Sequence, residues 1–151
     1  MRSLRPSQVR ARIIGDHEGL RRQLDELSQL GAKLQAGDDA LFAQALARAQ
    51  ALYDTLRDHI DFEDDLLGPA LREADAWGVL RAERLAHHHA EQRQQLRELD
   101  ERCRSESPQG LACLLDALIE ELRADMAFEE ESVLSPEILR DDVIAVDGED
   151  G

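Results

Sequence analysis

The sequence predicts an all-α protein, an up-down-up-down four-helix bundle, on three observations. Apolar residues recur at steps of three and four and nowhere alternate for long, the period of a helix with one buried face. Leu, Ala, Arg, Glu and Gln dominate, and all are good helix formers. The third observation is an internal duplication. A shift of 66 residues (59 to 125) lays Leu52, Leu56, Arg57, Phe62 and Glu63 on Leu118, Leu122, Arg123, Phe128 and Glu129. A shift of 72 (17 to 89) lays Ile13, His17, Arg21, Gln23, Leu24, Glu26 and Leu27 on Leu85, His89, Arg93, Gln95, Leu96, Glu98 and Leu99. A helical hairpin present twice, joined by short turns, closes into one bundle, because short connections force antiparallel neighbours.

The first helix is expected to start near Pro6 and Ser7 and to stop at Gly37. Asp38 or Asp39 can cap the second, which should run to Gly68-Pro69, where proline forbids continuation; a short helical stretch from Pro69 to about Ala74 follows. Asp75 is a candidate cap for a third helix from about Trp77 to Arg104, with Gly78 a poor helix former at its start. Ser107 followed by Pro108 pairs a cap with a first-turn proline and opens a fourth helix that ends before Pro136. Residues 1–136 are thus assigned to the bundle. Residues 137–151, acidic and weak in helix signal, are assigned to a C-terminal tail.

A chain of 151 residues is the usual size of one domain and can bury a core without disulfide staples. Its 18 basic against 33 acidic residues, a net charge of −15, argue against nucleic acid or an anionic membrane as partner, since phosphate recognition needs clustered Lys and Arg. No apolar run approaches the roughly 18 residues of a spanning helix, and the N-terminus lacks the hydrophobic stretch of a secretory signal. The expected location is cytoplasmic. Cys103 and Cys113 flank a turn and are read as two free thiols rather than a disulfide.

Tracing the buried stripes exposes a conflict with this greasy design. The first helix presents Ile13, His17, Leu20, Leu24, Leu27, Gly31 and Leu34; the second presents Leu52, Leu56, His59, Glu63 and Leu66. The third presents Leu85, His89, Gln92, Leu96, Leu99 and Cys103; the fourth presents Leu111, Leu115, Leu118, Leu122, Asp125 and Glu129. Three imidazoles and three carboxylates therefore occupy core positions. Each lies roughly 20 residues from a turn, so at ~1.5 Å per residue they share one height in the bundle. Burying unpaired carboxylates costs several kcal/mol each, and neighbouring ones repel as well. Cations must compensate, and metal ions account for six converging donors better than a water-filled polar layer does.

Imidazole plus carboxylate without thiolate suits Fe, Mn or Zn and argues against Ca and Mg. The near two-fold relation of the half-sites suggests one ion on each. The donors are too few to saturate two octahedral ions, so positions stay open to solvent or a small gas. The run His87-His88-His89 fans out by about 100° per residue, so only part of it can face inward. His89 sits on the seam; His88 is the alternative ligand and His87 is expected in solvent.

These residues together resemble the hemerythrin-like family, the His-His-Glu cation-binding domains. The resemblance rests on DHEGLRRQLDEL, on His-x-x-x-Glu in DHIDFEDDLLGPAL, on HHHAEQRQQLREL and on DMAFEEESVLSPEI, and covers the chain to about Pro136. It implies a four-helix bundle around a non-haem di-iron centre with His17, His59, Glu63, His89 and Glu129 as ligands. Asp125 stands where that family generally has His and is kept as a sixth candidate. The cofactor implied is two iron ions, oxo- or carboxylate-bridged, with Mn or Zn as alternatives. The ferritin-like pattern Glu-x-x-His does not occur. Oxygen-carrying hemerythrins use His-x-x-x-His on the third helix, whereas Leu85 and Arg93 flank His89 at that spacing. The expected function is therefore a metal protein meeting O2, NO or peroxide in sensing, detoxification or iron handling. A peroxidase or oxidase and a metal-free helical interaction module are the competing readings. The sequence leaves oligomeric state open.

Overall fold

Five helices make up most of residues 3–142, the part of the chain that the computed structural model describes: α1 (Pro6–Gln35), α2 (Phe42–Phe62), α3 (Gly68–Ala74), α4 (Gly78–Cys103) and α5 (Pro108–Ser132). No strand occurs among the described residues. The long helices α1, α2, α4 and α5 form the expected antiparallel ring. In it, α1 packs on α2 and α5, α4 closes the circle between them, and the α4–α5 seam is the thinnest.

Local chemistry sets the ends. Gly37 adopts φ 95, the left-handed conformation that a residue with a Cβ resists. It allows Asp38 N–H to reach Lys33 O and Gly37 N–H to reach Leu34 O, both at 3.0 Å, closing α1. Asp39–Leu41 then make one 3-10 turn into α2. Ser107 Oγ accepts from Gly110 N–H at 3.0 Å, with Pro108 in the first turn of α5. Asp75 accepts from Trp77 N–H at 2.9 Å and from the Arg81 guanidinium at 2.8 and 2.7 Å, bracing the entry to α4. Gly78 is required by a close approach, because a Cβ there would collide with the Leu71 carbonyl oxygen.

The expected stop at Gly68-Pro69 is corrected. Glu63–Leu67 form a π turn in which Gly68 N–H bonds Glu63 O, five residues back, and the rod continues through Pro69 to Ala74. Proline offers no donor and its ring crowds the carbonyl four residues earlier; a turn with one extra residue opens the ladder at that point. The extra residue also advances the buried face by one position. Glu63, Leu67 and Leu71 are buried, while Leu66, expected on the seam, is half-buried. On α5 the stripe shifts likewise: Ile119 and Met126 are buried and Leu118 is half-buried.

The apolar interior has two parts. The larger joins Leu20, Leu24, Leu27 and Leu34 of α1 to Leu52, Leu56, Leu96, Leu111, Leu115 and Leu122. The smaller gathers Val9, Ile13, Leu67, Leu71, Ala82 and Leu85 with Leu134 and Leu139 from beyond α5. The chain past Pro136 thus contributes to this smaller core, and Asp141 accepts from Ser7 N–H at 2.9 Å and Ser7 O–H at 2.6 Å. Of the expected acidic tail, residues 143–151 lie outside the described part. Cys103 is buried, Cys113 is exposed, and both are free.

Candidate metal centre

Between the two apolar parts lies a layer of polar side chains, one each from α1, α4 and α5 and two from the α2 rod. Regular 3.6-residue winding brings His17 of α1 and His89 of α4 inward, and His59 lies one turn before Glu63 on the α2 rod. His17, His59, His89 and Glu63 are buried, with at most 8% of their surface exposed. His17, His59, Glu63 and Glu129 each offer one donor atom, and the four atoms lie within 4.8 Å of one another.

Glu63 stands at the centre. Its Oε1 is 2.6 Å from His59 Nε2 and 3.6 Å from His17 Nε2; its Oε2 is 2.9 Å from His89 Nε2. Glu129 Oε1 lies 3.4 Å from His17 Nε2. Yet Glu63 Oε1 and Glu129 Oε1 are buried without a hydrogen-bond partner, since the close approaches lack donor alignment. Lone pairs that crowd together without hydrogen-bonding one another suit a shared cation.

The outward ring nitrogens behave differently. His17 Nδ1 hydrogen-bonds Glu130 Oε1 at 3.2 Å, and Arg21 grips the same carboxylate at 2.9 and 2.6 Å. His89 Nδ1 hydrogen-bonds Asp64 Oδ1 at 2.6 Å, and Arg93 reaches Asp64 at 2.6 Å and Asp61 at 2.8 Å. Carboxylates behind imidazoles fix the ring orientation and leave Nε2 as the free donor. His59 Nδ1 has a looser partner, Asp16 Oδ2 at 3.6 Å.

The layer is proton-rich without a cation. Burial disfavours the His17 imidazolium, but the adjacent Glu129 and Glu63 carboxylates outweigh it and push its pKa up to about 10. Burial and the adjacent Glu63 push Glu129 up to about 8. Glu63 itself is held well below the ordinary carboxylate range: burial opposes this, but Glu129 and the three imidazoles prevail. Burial likewise opposes the raised pKa of His89, which Glu63 and Asp64 sustain.

Five of the six expected residues therefore meet, His89 joining through Glu63. Asp125 does not join them: it is half-buried, accepts from Gln92 Nε2 at 3.0 Å and lies 3.7 Å from His88 Nε2. His87 faces solvent beside Glu91. The carboxylates Glu130, Asp64 and Asp16, which stand behind the three imidazoles, were not singled out in the sequence. A signal existed, because Asp64 and Glu130 are related by the same 66-residue shift as Glu63 and Glu129.

Below the layer a cavity of about 40 Å³ runs into the larger core, bounded by Leu20, Leu56, Ile60, Leu122 and Met126 with Gln92 and Asp125 on its polar side. It has room for a few water-sized molecules. No helix of the described residues is long and apolar enough to cross a membrane.

A family model described as the hemerythrin HHE cation binding domain matches residues 8–138. No curated protein and no solved structure matches the chain significantly.

Proposed function

Because the chain belongs to the hemerythrin HHE cation-binding family, we propose that it holds a pair of non-haem iron ions and meets O2, NO or peroxide there, in sensing, detoxification or iron handling. The observation that carries this reading is the set of buried, unaligned donors around Glu63, whose two oxygens face different imidazoles. His17, His59, Glu63, His89 and Glu129 would hold the ions. Iron is favoured by the family, and manganese or zinc fits the same nitrogen and oxygen donors. Bound iron supplies redox chemistry and affinity for small diatomic or peroxide ligands.

The chain's own residues set the terms. Glu130 and Asp64 orient His17 and His89, while Arg21 holds the Glu130 carboxyl below its ordinary range and Arg93 pairs with Asp64 at 2.6 Å. Glu63 is buried away from bulk water, and the interior cavity of about 40 Å³ beside it has room for a guest of only a few atoms. Such a guest is far smaller than an organic substrate. A cytoplasmic setting agrees with two free thiols in one short chain.

Purification in air followed by elemental analysis should return about two irons per chain, with near-ultraviolet absorption from the coupled pair. H59A/E63A should lose the metal. Full metal content in that double variant would overturn the assignment.

A further inference from the structure

Between α1 and α2 a cleft of about 410 Å³ opens to solvent beside the metal layer. His59 and Leu20 line it and also line the interior cavity of about 40 Å³, so these two side chains form the wall between them. Three carboxylates face the cleft, Asp16 from α1 with Asp54 and Asp58 from α2. Its one guanidinium, Arg12, lies 3.6 Å from Asp16 and over the Phe62 ring at 4.8 Å. Three carboxylates against one guanidinium leave negative charge in excess. Asp54 accepts only from Gln50 Nε2, at 3.3 Å, and Asp58 has no partner among the described residues.

Two buried polar atoms of this cleft's lining also lack a hydrogen-bond partner, His59 Nδ1 and Gln23 Oε1. His59 is only 8% exposed, and its Nδ1 stands 3.6 Å from Asp16 Oδ2, too far for a hydrogen bond. Its other nitrogen, Nε2, is 2.6 Å from Glu63 Oε1, so one ring spans the wall from cleft to layer. Gln23 donates Nε2 to Thr55 Oγ at 3.3 Å, which leaves its carbonyl oxygen as an acceptor without a donor. Carboxylates and an orphaned amide oxygen together suit a ligand that is positively charged and rich in donors. A divalent cation with its water shell is both.

The floor of the cleft is bare where the other half of the duplication is filled. Gly15 and Gly19, one turn apart on α1, line it. A Cβ at Gly15 would meet nothing within 4 Å, and one at Gly19 only the Arg22 guanidinium at 3.8 Å. Packing therefore requires neither glycine, and each weakens the helix relative to alanine. The 72-residue shift lays them on His87 and Glu91, whose side chains meet at 3.3 Å. The 66-residue shift lays Asp58 on Ala124. The matching cleft between α4 and α5 sets Arg81, Arg84 and His88 beside Asp125 and Glu129, so it has no such excess of negative charge.

We propose that the α1–α2 cleft is the loading port of the centre. A hydrated divalent cation, ferrous iron in the first place, is caught there through its water shell by Asp16, Asp54, Asp58 and Gln23 Oε1, and passes His59 into the layer. The excess negative charge draws the ion in. Holding it through water keeps the capture weak, so the ion moves on to the donors around Glu63. Gly15 and Gly19 leave room for the shell, and His59, with one nitrogen on each side of the wall, takes the ion as water is shed. The inference rests on the metal reading above and adds the route by which the ions arrive.

The rate of uptake is the readout. Fe(II) is mixed without oxygen with metal-free protein at low ionic strength, a fast ferrous chelator quenches the mixture at timed intervals, and the iron retained by the protein is measured. D54N/D58N should load at least about tenfold more slowly than wild type, and the gap should shrink in high salt. G15Q/G19Q, which fills the floor, should also load at least about tenfold more slowly. Its melting temperature should be no lower than that of wild type, since glutamine is the better helix former. Both variants should reach the wild-type iron content in the end. The control E98Q/E101Q removes the same charge from exposed positions of α4 and should load at the wild-type rate. Loading within roughly twofold of wild type in either cleft variant, a lower final iron content, or equal slowing in the control overturns the proposal. Wild-type protein that retains no iron would show instead that the metal reading itself had failed, and the port would fall with it.

Discussion

Replacing Glu130 by Ala tests whether the outer carboxylates act on the metal site or merely decorate the surface. Glu130 accepts one hydrogen bond from His17 Nδ1 and two from Arg21. Loss of such a partner behind a ligating imidazole costs about 10- to 100-fold in metal affinity, or about 1.4 to 2.7 kcal/mol. The Arg21–Glu130 pair is 36% and 25% exposed, so its own contribution to folding is small, up to about 1 kcal/mol. Metal affinity should therefore fall much further than stability. Competition with a calibrated chelator measures the first and thermal melting of metal-free protein the second. Asp64→Ala should behave alike, since Asp64 occupies the same role behind His89. Asp25→Ala is the control: Asp25 pairs with Arg123 at 2.6 Å on the exposed surface and touches nothing in the layer. Equal losses of metal affinity in the Asp25 and Glu130 variants, or no loss in the latter, would refute the reasoning.

Metal uptake should also expel protons. In the metal-free protein the pKa values of His17, about 10, and Glu129, about 8, both lie above 7, so both groups are protonated at neutral pH and must be stripped before they ligate. Raised values mean that affinity grows with pH through 8 and then 10, and calorimetry in buffers of different ionisation enthalpy should show about two protons from this pair at pH 7. Glu129→Gln should release one fewer, and an unchanged count would contradict the assignment. Gly78→Ala probes the fold alone. Its Cβ would strike the Leu71 carbonyl, a forced backbone shift costing about 1 to 3 kcal/mol, and the melting temperature should fall by about 2 to 12 °C; an unshifted melt would mean that α3 and α4 can separate freely.

Much of this was legible in the chain because the relevant signals are local and periodic. Gly37, Ser107 and Pro108 announce helix ends through backbone chemistry that needs no partner. His17, His59, Glu63, His89 and Glu129 stand out because polar side chains interrupt an apolar period at one height. The π turn was not legible. The run from Glu63 to Pro69 reads as a helix meeting a proline, and only packing against α1 and α4 decides that the rod should widen rather than stop. Asp125 misled for a related reason: a seam position fixes a helix face, but Gln92 and His88 decide where a short carboxylate turns. Glu130 and Asp64 sit one residue past their ligands, off the seam, and only the duplication could have flagged them.

The polar layer also divides the greasy interior in two, and the division bears on how the molecule comes apart. The smaller portion, built from Val9, Ile13, Leu67, Leu71, Ala82, Leu85, Leu134 and Leu139, is too modest to stand alone. Three continuous rods carry it, and across the gap its neighbours are charged groups rather than methyls. Cooperativity between the two ends must therefore pass through this stratum. A chain with the stratum neutralised would unfold as one body, whereas one with its charges bare would have a built-in place to fray.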